Sequence, residues 1–180
     1  MRLRFPAPWG SRVLWPTLTL AVVLAWSPAA LAAPGSGGAA PPCALHLSGG
    51  QPTDLRELRG KVVYVDFWAS WCTSCLLSFP FMNDLDRAYA DRGLAVVGID
   101  MDQKPADAQR FLERHPAGFR VALGHNEACA KAFGVKAMPS SFLIDRRGVI
   151  RETHQGFRPG EAKRLTALVQ QLLNETPSGA

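Results

Sequence analysis

A long apolar run, a basic cluster, paired histidines and internal repeats are all missing from this 180-residue chain. Each gap removes a class of function. Outside the N-terminus no block of Lys and Arg could neutralise a run of phosphates, which argues against nucleic-acid binding. The formal charge of +5 misleads on this point, because Arg2, Arg4 and Arg12 lie in a leader without a single acid. Without those three the chain carries +2, with both signs interspersed. The stretch Leu18–Trp26, bounded by Pro16 and Pro28, falls short of the roughly 20 apolar residues that span a bilayer. His46, His115, His125 and His154 are scattered singly, and there is no second C-x-x-C, so no four-ligand zinc set can be assembled and no metal is expected. Charged residues make up 19% and apolar residues 47%, a globular balance and not a disordered one.

What is present starts with that leader. A positive start, a short apolar core and small residues at Ala30 and Ala32 read as a signal peptide over residues 1–32, cleaved before Ala33. A retained membrane anchor is the alternative. Either way the remainder faces an oxidising compartment, where cysteines can pair; the expected location is periplasmic. Residues 33–43, rich in Pro, Gly and Ala, read as a flexible linker, 44–174 as one domain and 175–180 as a disordered tail.

Within the domain, short apolar runs alternate with helical stretches, which predicts an α/β sheet. Leu45 and Leu47 suggest a short edge strand, and Thr53 or Asp54 can cap a short helix carrying Leu55 and Leu58. Lys61–Phe67 and Leu94–Ile99 read as buried strands. Helices are expected from Cys72 to Asp91, interrupted at Pro80, from Pro105 to His115, and from Glu127 to Phe133, closed by Gly134. Ser141–Asp145 and Val149–Thr153 flank a hairpin turn. Leu165, Leu168, Val169, Leu172 and Leu173 make one face of a last helix.

The chemistry concentrates at Cys72-Thr73-Ser74-Cys75, where a buried strand gives way to a helix. Unpaired N–H groups and the positive end of a helix lower the pKa of a sulfur placed there. Cys72 can then attack a substrate disulfide and Cys75 resolve the mixed disulfide; the reverse sequence oxidises a dithiol. A purely structural bridge over so short a loop gains little. Two soft thiolates could also hold Cu(I), which keeps a copper chaperone in view.

The run Asp66-Phe67-Trp68-Ala69-Ser70-Trp71-Cys72-Thr73-Ser74-Cys75, with Pro80 five residues on, resembles thioredoxin, as does Val135–Asp145 around Pro139. The export leader, Leu58–Val63, the helix after Val96–Asp100 and the Phe142–Gly148 hairpin resemble more closely the secreted TlpA/ResA-like branch. The resemblance implies a thioredoxin-like fold: a central mixed β-sheet sandwiched by helices, with an extra N-terminal strand region and a central helix insertion. It implies that Cys72 is the nucleophile, Cys75 the resolving thiol and Asp66 a buried proton relay. Pro139 would be cis and, with Met138 and Trp71, face the substrate. No cofactor is implied. The expected partners are disulfide-containing exported proteins, such as apocytochrome c or copper-site proteins, and a membrane thiol donor of the DsbD/CcdA type; the chain is read as a monomer. An oxidase or isomerase running the same dithiol the other way stays open. Three positions depart from the branch: Ser78 where a glutamate is usual, Thr73-Ser74 between the cysteines, and Met138 where threonine is frequent. Cys43 and Cys129 complete an even count and could staple the N-terminal segment to the body, though Cys129 could equally be a small buried apolar residue.

Overall fold

The computed structural model describes residues 36–48, 52–124 and 126–176. The chain divides into units 1–31 and 32–180, and all described residues belong to the second; the leader expected at 1–32 and His125 lie outside them. A five-stranded sheet runs in the order β5 (Arg120–Ala122), β4 (Leu94–Asp100), β3 (Val62–Trp68), β6 (Ser140–Ile144), β7 (Ile150–Gln155). The β3–β4 and β4–β5 pairs are parallel, while β3–β6 and β6–β7 are antiparallel. A small antiparallel pair, β1 (Ala44–His46) with β2 (Pro52–Asp54), precedes them. The fold is the expected α/β sandwich with a mixed central sheet.

Strands β3 and β4 are buried along their whole length, which explains their β-branched and aromatic composition. Even-numbered residues of β3 (Val62, Tyr64, Trp68) join α1 (Cys75–Tyr89), α2 (Pro105–Arg114) and α4 (Glu161–Asn174) in one apolar layer. Odd-numbered ones (Val63, Val65, Phe67) meet Leu45, Leu55 and α3 (Glu127–Phe133) on the other face. The inserted α2 drives Phe111 against Trp68 and Phe79, each ring pair 4.9 Å apart, so the insertion closes the core beneath the sheet's active end. Gly98 makes room there: a Cβ at that position would lie 2.9 Å from Phe119 and 3.2 Å from Trp68 Nε1.

Four differences from the sequence reading stand out. Strand β5 was unexpected because three residues with one exposed arginine carry no alternation, and β2 is equally short. Helix α1 starts at Cys75, not Cys72, since Cys72 belongs to the turn closed by its own N–H to Ala69 O at 3.1 Å. Residues 36–43 are not a free linker: Gly37 N–H donates to Ile150 O and Ala40 N–H to Gly148 O, pairing the segment with the start of β7. Small residues permit that close backbone approach. Glu175 is likewise engaged, accepting from Arg151 at 2.8 and 3.1 Å, so the tail is not free from its first residue.

Candidate active site

Strand β3 delivers the site. After Trp68 the chain turns through Ala69–Ser74 and enters α1, so Cys72 and Cys75 lie at the C-terminal edge of the sheet. The two sulfurs are bonded to each other, with Cα atoms 5.3 Å apart. Their surroundings are unequal. Cys75 is fully buried at 0% exposure and Cys72 keeps 6%, so a partner disulfide can approach only Cys72. The Cys75 N–H, at the head of α1, lies 3.2 Å from Cys72 Sγ, and the Ser74 hydroxyl lies 3.7 Å from it. Both would stabilise a thiolate there.

Asp66 is buried completely, on the α1 side of β3. Its Oδ1 accepts from Ser141 Oγ at 2.6 Å, a bond set by the register that places the two residues opposite each other on β3 and β6. Its Oδ2 finds no hydrogen-bond partner among the described residues. Burial pushes the carboxyl up to about 7, with the Ser141 and Ser78 hydroxyls opposing it. Ser78, on the first turn of α1, donates its one hydroxyl proton to Cys75 O at 3.2 Å.

The Met138–Pro139 bond is cis; Pro139 is buried, and its carbonyl accepts from Gly156 N–H at 2.8 Å. Met138 is half-buried against the apolar layer that contains both sulfurs. Trp71 is 65% exposed, and the other exposed large apolar side chains among the described residues are Leu76 and Leu77, immediately after Cys75. Cys43 and Cys129 form the second disulfide, buried, with Cα atoms 5.1 Å apart. Among the described residues no three His, Cys, Asp or Glu side chains gather as a metal site, and no helix is long and apolar enough to cross a membrane. Reading the sequence missed Ser70, Asp100, Asp102 and Ser141, whose contacts to the site run between strands.

The Redoxin family profile matches residues 35–169. The chain belongs to the Redoxin family. A crystal structure from Chlorobium tepidum assigned to the thiol:disulfide interchange protein DsbE is 41% identical with a TM-score of 0.75, covering 78% of this chain and 99% of that one. Thiol-disulfide oxidoreductase ResA of Bacillus thuringiensis is 30% identical over 112 residues, 62% of this chain. Protein DipZ of Mycobacterium bovis is 34% identical over 140 residues, 75% of this chain but 20% of DipZ. The chain spans 65% of the length of ResA, a little under two-thirds. The relatives carry the names of thiol–disulfide oxidoreductases and interchange proteins, and this Redoxin-family chain holds a closed Cys72–Cys75 disulfide.

Proposed function

We propose that the chain is exported and reduces disulfides in extracytoplasmic proteins. The observation that carries this reading is the unequal dithiol: a reachable Cys72 beside donors and a buried Cys75, with a fully buried acid of raised pKa on the neighbouring strand. In the reduced form the Cys72 thiolate attacks one sulfur of the substrate disulfide. A Cys72–substrate bond forms, the substrate S–S bond breaks, and the first substrate thiolate leaves. Cys75 then gives its proton to Asp66 and attacks Cys72 Sγ, which closes the Cys72–Cys75 bond and releases the second substrate thiolate. Two electrons pass from the enzyme to the substrate. A donor dithiol, by family resemblance a membrane transporter of the DsbD/CcdA type, restores the reduced state. Trp71 and Met138, with the Pro139 backbone, supply the surface against which the substrate segment lies. Apocytochrome c and copper-site proteins are the substrates we favour.

The disulfide-donating direction has one observation in its favour, the Cys75 N–H and Ser74 hydroxyl beside Cys72, because a stabilised thiolate makes the couple more oxidising. The reduction potential of the Cys72–Cys75 couple, read by mass spectrometry after equilibration with defined thiol buffers, decides between them. A value near thioredoxin's, about −270 mV, supports the reductase; one near −120 mV makes the protein a donor of disulfides.

A further inference from the structure

Strands β3 and β4 end side by side, with Trp68 opposite Asp100, and two loops leave them: one leads to the dithiol and the other to α2. One side chain ties the loops together. Asp102 Oδ2 accepts from Ser70 N–H at 2.8 Å, and Asp102 Oδ1 accepts from Ser70 Oγ at 2.8 Å. Ser70 is the second residue of the turn that Cys72 closes onto Ala69 O, so both of its donors are fixed inside the turn that presents the sulfur. Asp102 is itself held. Its N–H donates to Asp100 Oδ1 at 2.9 Å, and Asn126 Nδ2 donates to Asp100 O at 2.8 Å and to Gly124 O at 2.7 Å. Asp100, Asp102 and Asn126 are buried, and Asp100 Oδ2 meets no partner among the described residues. A buried carboxylate is costly unless donors compensate it, and here those donors are the two groups of a loop with no strand pairing of its own.

We propose that Asp102 is the positioning residue of the dithiol: by holding Ser70 at two points it fixes the Ala69–Cys72 turn and keeps Cys72 Sγ against the N–H at the head of α1. The proposal rests on Cys72 being the attacking thiol, as above. Without the clamp the turn relaxes, Cys72 Sγ loses its alignment with the Cys75 N–H, and the thiolate is less stabilised.

The test is the pH dependence of Cys72 alkylation by iodoacetamide in the reduced full chain, located by peptide mass spectrometry. Asp102→Ala should raise the midpoint by about one pH unit, which slows alkylation about tenfold at pH values below it. Asp102→Asn should raise it less, since its amide oxygen can still accept from Ser70 N–H while its NH2 donates to Ser70 Oγ. Ser70→Ala keeps the backbone bond and should give a smaller rise, and Ser70→Thr should restore the wild-type midpoint. Should Asp102→Ala fold poorly, Ser70→Ala, which removes one half-buried hydroxyl, carries the test. A midpoint unmoved in the variants while their urea stability falls would reduce the clamp to scaffolding and overturn the proposal. A midpoint that drops in both Asp102 variants would also overturn it, because the carboxylate would then act by charge alone. Alkylation needs no protein substrate, so a wild-type chain that leaves insulin disulfides intact counts against the proposed function and not against the clamp.

Discussion

Replacing Asp66 by Asn should make the protein more stable at pH 8 and leave it unimproved at pH 4. The carboxyl is fully buried, and burial raises it from the ordinary 3.8 to about 7. Below pH 3.8 it is neutral in folded and unfolded chains alike, so it costs nothing. Between 3.8 and 7 the unfolded chain gives up the proton while the folded chain keeps it, so stability falls as pH rises. Above 7 the folded chain ionises too and the loss levels off. At about 1.4 kcal/mol for each pH unit between those values, the penalty at pH 8 reaches roughly 4 kcal/mol. Asn keeps an oxygen to accept from Ser141 Oγ but never takes the charge. Urea unfolding of the oxidised proteins at pH 4 and pH 8 measures the difference. With a slope of about 2 kcal/mol/M the midpoint of the variant should move up by roughly 2 M at pH 8. Asp100 is also buried with a raised carboxyl, but it is common to both proteins and cancels in the comparison. An equal gain at both pH values, or none at pH 8, would refute the reasoning, since the effect would then owe nothing to a buried charge. The same variant should reduce insulin more slowly, because Cys75 loses its proton acceptor.

Two further outcomes follow from the packing. Replacing Cys43 and Cys129 together by Ser opens a loop with a sequence separation of 86. Loop entropy sets the loss of stability at about 4.5 kcal/mol, read by urea unfolding without reductant, with the Cys72–Cys75 potential unmoved. Gly98→Ala drives a methyl to 2.9 Å from Phe119 and 3.2 Å from Trp68 Nε1, both buried, and should cost about 1–3 kcal/mol in the same assay.

The parts of the site that neighbour one another in sequence were legible, because each follows from a local rule. Cys72 and Cys75 announce themselves by spacing, and Val62–Trp68 by an unbroken run of residues suited to a doubly covered strand. The relation of Asp66 to the dithiol was readable through resemblance to thioredoxin. Its bonding was not: Ser141 lies 75 residues away and reaches Asp66 only because β6 returns antiparallel in one register. Ser70 and Asp102 are 32 residues apart and meet because β3 and β4 are parallel and end together. Neither bond leaves a periodicity or a motif in the chain. Strand β5 failed for a related reason, since three residues gain their strand character from pairing with β4 and not from their own composition.

Placing one acid on β3 and the other just past the end of β4 separates two jobs that one carboxylate could not perform together. Asp66 lies on the α1 side of β3, where burial keeps it close to neutrality in pH; it can gain and lose a proton within a turnover. Asp102 follows β4, receives two donors from Ser70, and bears on the loop that carries the nucleophile. A proton relay must change charge with little penalty, which requires few compensating donors. A clamp must hold its donors through both redox states, which requires many. Exchanging the surroundings of the two would therefore spoil both: an Asp66 given two more donors would stay ionised and stop accepting the Cys75 proton, and an Asp102 without Ser70 would leave the Cys72 turn untied.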